Sequence, residues 1–394
     1  MISDLIHNKQ IDIHFQPIVS IKDNRVFAYE ALTRSIDRYD EPISPLYLFE
    51  QAKKEDIASK LDEYVRELAL LKFQTYLEKD ASLLLFVKFD NSVIEKEQGK
   101  EFISTVYKYN IPPKNIVVSI KEEKIRDTHL LKSFIDLYKK HGFLVALDDF
   151  GTAYGSFERL EYLRPEIVKV DRSLVYNVQN NLISSELLSA IANMSHNVGA
   201  LVIAEGVEHK DEVMASLLKK IDLFQGFWFS RVQESFNDEK IHEIGKSIEY
   251  IARMYKEHIC HEMDEKRAVI QSMQRLMHTV VNLLSKNGMD SLEPLESIIA
   301  KNRKIEAIYI IEEQSGVQLG NTLIHSQEKH LFKPTKAGKN HLLSEYYFIL
   351  KESLRDEYLS NPYVSRASGN VCRTYAQKVS MFEDNYIVCF DIVE

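Results

Sequence analysis

Long apolar runs are missing from this sequence of 394 residues. No stretch approaches the about 20 consecutive apolar residues that a membrane-spanning helix requires. The first ten residues, MISDLIHNKQ, have neither the basic region nor the apolar core of a signal peptide. We therefore expect a protein with no membrane span and no secretion signal.

Cysteine is scarce, with three residues at Cys260, Cys372 and Cys389. They are far apart in the sequence and odd in number, which does not fit a disulfide framework. Such usage is typical of proteins in a reducing compartment. We expect a cytoplasmic location.

An excess of positive charge is also missing. The 50 Lys and Arg residues face 59 Asp and Glu residues, which gives a net charge of -9. Proteins that bind nucleic-acid polymers through their phosphates usually carry a basic surface. The sequence therefore argues against a nucleic-acid polymer as partner, while a local pocket for a small anionic ligand stays compatible with it.

Over roughly the first 235 residues, short apolar strands alternate regularly with amphipathic helical stretches. One of these helical stretches is 45–76. The alternation is typical of an α/β domain. The first two strand candidates are separated only by the polar turn IKDN, which predicts an antiparallel hairpin. The other strands have helical crossovers between them and are predicted to run parallel. Eight such strands predict a (β/α)8-like TIM barrel with one antiparallel strand. The strand candidates are 11–18, 26–32, 83–89, 115–120, 143–147, 167–170, 201–204 and 222–224.

The pattern changes after residue 236. Apolar residues at steps of three and four over 237–286 predict a long helix, either continuous or broken near its middle. Its apolar stripe fits packing against the chain's own domains, or against the same helix of a second copy in a homodimer. The remaining residues predict a small α+β domain. We expect a barrel domain over 1–236, a connecting helix over 237–288 and a small domain over 289–394.

Polar residues recur at the ends of the predicted barrel strands, where the site of such a barrel lies. Asp148 and Asp149 follow one strand, Glu205 follows another, and Lys169 closes a third. Clustered carboxylates repel each other unless a metal ion or a Lys lies among them. Two metal ions held by carboxylates are the machinery of phosphodiester cleavage. A solvated rim without chemistry is the ordinary alternative, because Asp also caps helices and charged residues make loops soluble.

Six motifs occur in the order of a known family: FQPIVS (15–20), EALTR (30–34), DDFGTAYGSF (148–157), KVDRSL (169–174), AEGVE (204–208) and QGFWFSRV (225–232). Over residues 1–235 this order resembles the EAL family, (β/α)8-barrel phosphodiesterases specific for the bacterial messenger cyclic-di-GMP. Each motif alone is weakly specific, and the six in order are highly specific. The resemblance implies cyclic-di-GMP as ligand, Mg2+ or Mn2+ as cofactor if the protein is active, and a homodimer.

The resemblance also implies roles for single residues. By position, Glu30, Asp148 and Asp149 resemble metal ligands, Glu205 resembles the general base, and Lys169 resembles the lysine that assists water activation. Ordinary hydrogen bonding in a loop explains some of the remaining residues equally well. The implied nucleotide contacts are Gln16, Glu30, Leu32, Arg34, Lys88, Asp149, Glu208 and Gln225.

Two positions depart from the family pattern. Lys88 stands where the family has an Asn metal ligand, and Ser119 stands where it has a Glu ligand. Asn91 is a poor substitute, because three residues along a strand reverse the direction of the side chain. A Lys supplies no oxygen to a hard divalent cation. At about 4 Å and an effective dielectric constant of about 20, its ammonium repels such a cation by roughly 8 kcal/mol.

These departures predict an incomplete first metal site and lost or feeble hydrolysis. Lys88 is then expected to neutralise Glu30 or Asp148, or to contact a phosphate of the ligand. The bland alternative is that Lys88 extends to solvent and leaves the site unchanged.

Residues 360–379 loosely resemble the core of the PAS or Cache sensory domains that are found attached to EAL domains. Arg366, Arg373 and Tyr375 are the candidates for lining a small-molecule pocket there. A mixed sheet that presents polar residues to solvent explains them equally well.

Three functions are compatible with these patterns. The first is a degenerate receptor that binds cyclic-di-GMP with weak or no hydrolysis. This binding does not require a metal ion. The second is an active phosphodiesterase that cleaves cyclic-di-GMP to linear pGpG. The third is a scaffold that neither binds nor cleaves the nucleotide and contacts other proteins. Turnover separates the second function from the others, and binding separates the first from the third.

Overall fold

The chain divides into two compact units, Met1–His258 and Ile259–Glu394. The computed structural model describes residues 2–39, 41–89, 94, 100–121, 128–152, 156–288, 292–324, 333–365 and 367–393. Two residues considered in the sequence, Asn91 and Arg366, lie outside this described part.

The first unit contains a nine-stranded sheet in which eight strands close into a barrel. The closure is made by the pairing of the first two strands, and the short third strand is added at the edge of the second. The strands are β1 Ile11–Ser20, β2 Arg25–Ile36, β3 Pro42–Ile43, β4 Leu84–Phe89, β5 Ile116–Lys121, β6 Leu144–Phe150, β7 Ile167–Val170, β8 Leu201–Glu205 and β9 Leu223–Gln225.

One barrel strand is reversed. β1 is antiparallel to both of its neighbours, β2 and β9, whereas the other barrel pairings are parallel. The polar turn between β1 and β2 ends at Asn24, whose φ of 52° lies in the left-handed region that Asn tolerates. The prediction of a TIM barrel with one antiparallel strand is therefore confirmed.

One level of the barrel interior is a complete layer of apolar side chains. Each of the eight barrel strands contributes one buried residue to it, so this level of the barrel is filled by side chains. The layer consists of Ile18, Ala28, Phe86, Val117, Ala146, Ile167, Ile203 and Leu223.

Helices connect the strands of the first unit. They are Ile2–His7, Pro45–Lys54, Ala58–Lys79, Lys100–Lys108, Thr128–Lys140, Ser156–Leu163, Arg172–Val175, Leu182–Asn197 and Lys210–Leu218, with short 3-10 turns at Pro113–Asn115 and Val178–Asn180. The single helical stretch expected over 45–76 is wrong, because the chain breaks before Ala58. Asp56 has a φ of 53°, a left-handed conformation that a continuous helix does not accommodate.

A single helix, Asp238–Asn287, follows the barrel, and the break considered near its middle does not occur. Ile244, Ile248 and Ile251 are buried in the core of the first unit. Farther along the same helix, Met273 and Met277 are buried in the core of the second unit. The apolar stripe is therefore covered at both ends by the chain's own domains.

The second unit is built on an antiparallel sheet of six strands. Its last two strands form a hairpin, whose two turn residues, Phe382 and Glu383, have φ values of 52° and 74°, as a tight turn of this kind requires. The strands are β10 Ile305–Glu312, β11 Gln318–Ile324, β12 Glu357–Leu359, β13 Tyr363–Val364, β14 Val371–Met381 and β15 Asp384–Val393, with helices Glu293–Lys301 and Glu345–Glu352.

Within the residues described, no helix combines the length and the apolar character needed to cross a membrane.

A buried hydrogen bond to a tyrosine hydroxyl helps to hold the segment that leads from the barrel to the long helix. The backbone N–H of Phe236 donates to the Tyr76 hydroxyl at 2.9 Å. We expect Tyr76→Phe to lower the free energy of unfolding by about 1–3 kcal/mol, because the ring stays packed while a buried N–H loses its acceptor. Urea unfolding measures this. Tyr64→Phe on the same helix is the matched control, since its hydroxyl has no hydrogen-bond partner among the described residues. Equal stability of the two variants would contradict the expectation.

Candidate functional site

A polar ring lies directly next to the apolar layer of the barrel. In a strand, residues two positions apart face the same side. The residue two positions from each member of the apolar layer, toward one end of the barrel, is polar or charged in all eight strands. The polar ring consists of Gln16, Glu30, Lys88, Ser119, Asp148, Lys169, Glu205 and Gln225.

Lys169 lies among the carboxylates of the polar ring. Its Nζ is 2.7 Å from Glu30 Oε1, 3.2 Å from Asp148 Oδ1 and 2.5 Å from Glu205 Oε1. The Lys169 side chain is fully buried. Since a buried ammonium is stable only when it is paired, these three contacts explain how a Lys is accommodated inside the barrel.

Lys88 makes a second set of ion pairs with two of the same carboxylates. Its Nζ lies 3.3 Å from Glu30 Oε1 and 3.2 Å from Asp148 Oδ2. The Lys88 side chain is 38% exposed, in contrast to the buried Lys169. Lys88 therefore neutralises the site and also presents a cation to solvent.

The pKa values of the three carboxyls are shifted in two different directions. Burial acts to raise the pKa of Glu30 and Asp148, but Lys169 and then Lys88 outweigh it and hold the pKa of both carboxyls below the usual values. For Glu205 burial dominates over the attraction to Lys169 and raises the pKa to about 8. Two carboxylates with lowered pKa values thus balance two ammonium groups, and Glu205 keeps its proton more readily than either of them.

The donor set fits a divalent metal ion poorly. Oxygen atoms of Glu30, Asp148 and Glu205 lie within 4.8 Å of one another, which is the spacing of a metal cluster. The same oxygens, however, already contact Lys169, and two of the three residues also contact Lys88. A hard cation needs several further oxygen ligands, and Lys88 supplies none.

Ser119 adds little to such a site. It is 1% exposed, and its hydroxyl oxygen has no hydrogen-bond partner among the described residues. Its neighbour across the β4–β5 pairing is Lys88. The two positions that depart from the family pattern are therefore adjacent in the polar ring.

Two glutamine amides complete the polar ring. Gln225 Nε2 donates to Glu30 Oε2 at 2.6 Å and to Gln16 Oε1 at 3.1 Å. Gln16 Nε2 in turn donates to the Ser230 carbonyl at 3.2 Å. Glu30 is consequently held by two ammonium groups and one amide, which fixes its orientation.

Gly226 allows the rim next to Gln225 to close. A Cβ at this position would lie 2.1 Å from the Val207 carbonyl oxygen, so only a glycine permits the approach. The Val207 N–H donates to the Gln225 carbonyl at 3.2 Å across the same contact.

Asp149 does not belong to the polar ring. Its φ of 56° accompanies a register irregularity in β6, and its carboxylate lies 3.3 Å from Lys121 Nζ. Arg34 is also outside the ring, where its guanidinium donates to the Thr33 carbonyl at 2.8 Å. The sequence analysis assigned no role to Lys121, and nothing in the sequence identifies it as the partner of Asp149.

Glu208 forms an ion pair with Arg172, a residue for which the sequence predicted no role. The neighbouring Asp171 caps the helix Arg172–Val175 by accepting from the Ser173 N–H at 2.8 Å. The only sequence signal for Arg172 is its place in the KVDRSL motif.

Two cavities lie at this end of the barrel. One of about 310 Å³ is lined by six of the predicted nucleotide contacts and by Arg172. The other, of about 350 Å³, is lined by Arg34 and Lys121 among others. Leu32 and Lys88 line both cavities, so Lys88 lies where they meet. The six contacts in the first cavity are Gln16, Glu30, Leu32, Lys88, Glu208 and Gln225.

Comparison with known proteins gives a family match over most of the first unit. Residues 1–232 match the model described as EAL domain. The chain is 22% identical over 376 residues to the uncharacterized EAL-domain containing protein YkuI of Bacillus subtilis, covering 92% of this chain and 90% of that protein. It is 24% identical over 225 residues to the cyclic di-GMP phosphodiesterase PdeA of Borreliella burgdorferi, covering 56% of this chain and 33% of that protein.

Solved structures share the fold. The crystal structure of Bacillus subtilis YkuI, in complex with c-di-GMP and calcium, has a TM-score of 0.79 and 21% identity, covering 100% of this chain and 99% of that chain. A manganese and c-di-GMP complex of Klebsiella pneumoniae BlrP1 has a TM-score of 0.52 and 23% identity, covering 57% of this chain and 56% of that chain. The YkuI likeness thus extends over both units.

The raised pKa of Glu205 predicts a pH effect on stability. Glu205 titrates near 4.5 in the unfolded chain and at about 8 in the folded protein, so between these values only the folded state keeps the proton. The wild-type free energy of unfolding should therefore fall, relative to that of Glu205→Gln, as the pH rises from 4.5 to about 8. Urea unfolding of both proteins across this range measures the difference. The exposed Glu239→Gln is the control, and parallel profiles for Glu205→Gln and wild type would refute the assignment.

Proposed function

The chain belongs to the EAL domain family, and on that premise we propose that it is a receptor for cyclic-di-GMP with weak or no hydrolysis. The observation that carries this proposal is the pairing of Lys88 with Glu30 and Asp148. In the place of a metal ligand, the protein has an ammonium that neutralises the carboxylates and reaches solvent.

The shape of the site supports a ligand with two lobes and phosphates between them. Two adjacent cavities share Lys88, which is the accessible cation of the polar ring. A phosphate placed at this junction contacts an ammonium, and such charge-assisted hydrogen bonds are among the strong ones. Relatives with the same fold are complexes with c-di-GMP, which supports the same ligand here.

The charge distribution supports binding more than cleavage. Hydrolysis requires an activated water, and a metal ion supplies one by lowering the pKa of bound water. Lys88 supplies positive charge but no such activation. Burial raises the pKa of Glu205, the predicted base, so this carboxyl keeps its proton more readily than an exposed one. A protonated carboxyl does not accept a proton from water.

A second candidate is a weak phosphodiesterase that uses Mg2+ or Mn2+ and releases pGpG. It is favoured by the spacing of Glu30, Asp148 and Glu205, whose oxygens lie within 4.8 Å of one another. In that case a divalent ion displaces the ammonium of Lys169 or Lys88 from these oxygens. The two candidates differ in whether binding requires metal.

The receptor proposal predicts saturable one-to-one binding of cyclic-di-GMP in EDTA, measured by calorimetry. Lys88→Met should weaken this binding by at least about tenfold, since it keeps the side-chain length but removes the charge that meets phosphate. The control is Lys114→Met, an exposed lysine next to the opposite end of β5, which should bind as the wild type does. Absence of binding in EDTA would exclude the metal-free receptor, and binding only with Mn2+ would favour the enzyme.

The loss of hydrolysis is predicted to be reversible. Lys88→Asn combined with Ser119→Glu restores an amide and a carboxylate at adjacent positions of the polar ring and removes the competing ammonium. We expect Mn2+-dependent release of pGpG to rise by at least about tenfold over wild type, because even outer partners of a metal site change activity on that scale. Chromatography of the products measures the rate, and each single variant is a control. Unchanged turnover in the double variant would show that these two residues are not the cause.

A further inference from the structure

A separate cavity lies within the C-terminal unit and is lined by none of the residues of the polar ring. It has a volume of about 610 Å³. The sequence candidates Arg373 and Tyr375 do not line it, and the Tyr375 hydroxyl instead donates to Glu357 at 2.7 Å. Several of its buried lining residues carry polar side-chain atoms. The buried lining residues include Tyr309, Gln318, Thr322, His341, Ser365 and Asp391.

Asp391 is the charged group of this cavity and is 4% exposed. Its Oδ1 is approached by the hydroxyls of Tyr363 and Thr374, both at 2.9 Å, and by that of Tyr309 at 3.4 Å. Its Oδ2 is approached, among the described residues, by the Ser365 hydroxyl alone, at 3.2 Å. A carboxylate has about four acceptor positions over its two oxygens. The remaining capacity to accept hydrogen bonds therefore lies on Oδ2.

No Lys or Arg among the described residues forms an ion pair with Asp391. Burial raises the pKa of its carboxyl, and the surrounding hydroxyls oppose this only in part. Two charged residues at the exposed edge of the cavity, Lys339 and Glu345, have opposite signs. Among the residues that the structure describes, the deep part of the cavity thus has one buried acid and no counter-charge.

His341 does not supply the missing positive charge. Burial, followed by the nearby Lys339, lowers the pKa of its imidazole to about 4, so the ring is neutral at pH 7. Its contacts agree with a neutral ring, because Nε2 lies 3.0 Å from Gln318 Oε1 and Nδ1 lies 2.9 Å from the Tyr346 hydroxyl. The imidazole is also stacked on Tyr309, with ring centroids 5.5 Å apart. This wall is a fixed, uncharged aromatic surface.

We propose that this cavity binds a small organic cation, an ammonium compound whose charge pairs with Asp391. The ammonium provides the counter-charge that the described residues of the cavity do not supply, and it uses the remaining acceptor capacity of Oδ2. The rings of Tyr309, Tyr346 and Tyr363 line the cavity, and aromatic rings attract cations. An anion is disfavoured by the buried carboxylate, and a neutral molecule leaves it uncompensated.

Pairs of a cation and its uncharged counterpart test this on the full-length protein. The probes are choline with 3,3-dimethylbutan-1-ol, and benzylamine with benzyl alcohol, followed by ligand-observed NMR at pH 7. We expect at least one cation to bind at least about tenfold more tightly than its counterpart. The proposal is overturned if both cations bind more weakly than about 10 mM, or if the uncharged members bind equally well.

Substitution of Asp391 tests whether the cation binds in this cavity. Asp391→Asn keeps the shape of the side chain and removes its charge, so the preference for the cation should disappear. The matched control is Asp384→Asn on the exposed final hairpin, which should keep the preference. If Asp391→Asn does not fold, Tyr363→Lys serves instead, because this side chain is 37% exposed and would place an ammonium beside Asp391. A cation preference that survives in the folded variant assigns the binding to another place and overturns the proposal.

Discussion

The two-residue alternation of side chains in a closed barrel determines where the functional residues lie. In each of the eight strands one inward residue belongs to the apolar layer, and the inward residue two positions away belongs to the polar ring. The filled apolar layer keeps water from one side of the ring. Charges in the ring therefore interact in a medium of low dielectric constant, where pairs are strong and unpaired groups are costly. A slip of one residue in any strand would turn its ring member outward.

Within this ring the charges are stable only when they balance. Lys169 and Lys88 offset Glu30 and Asp148, and Glu205, which also contacts Lys169, has a pKa that burial raises. A lysine at position 88 and a divalent ion are thus two solutions to the same electrostatic problem. They differ in chemistry, because both attract a phosphate but only the metal acidifies water. In the receptor that we propose, Lys88 thus favours recognition of an anionic ligand without supplying what its hydrolysis needs.

The barrel, its reversed strand and the clustering of polar residues at strand ends were predictable, because apolar periodicity and motif order are local properties of a sequence. Other features depend on backbone conformation or on distant residues. Asp148 and Asp149 look equivalent in the sequence, yet the left-handed backbone at Asp149 directs its carboxylate to Lys121. The pairing of Arg172 with Glu208 joins residues 36 positions apart. The C-terminal cavity is assembled from strands and loops that share no motif, so its residues could not be found before the fold was known.

The two units place buried carboxylates beside cavities and treat them in opposite ways. In the barrel the counter-charges are built in, and the more exposed of the two lysines leaves a cavity suited to an anion. In the C-terminal unit Asp391 is surrounded by hydroxyls, which donate hydrogen bonds but carry no charge. Hydroxyls reduce the cost of burying a carboxylate without removing it. Whether the protein already supplies the counter-charge therefore determines the sign of the ligand that each cavity favours.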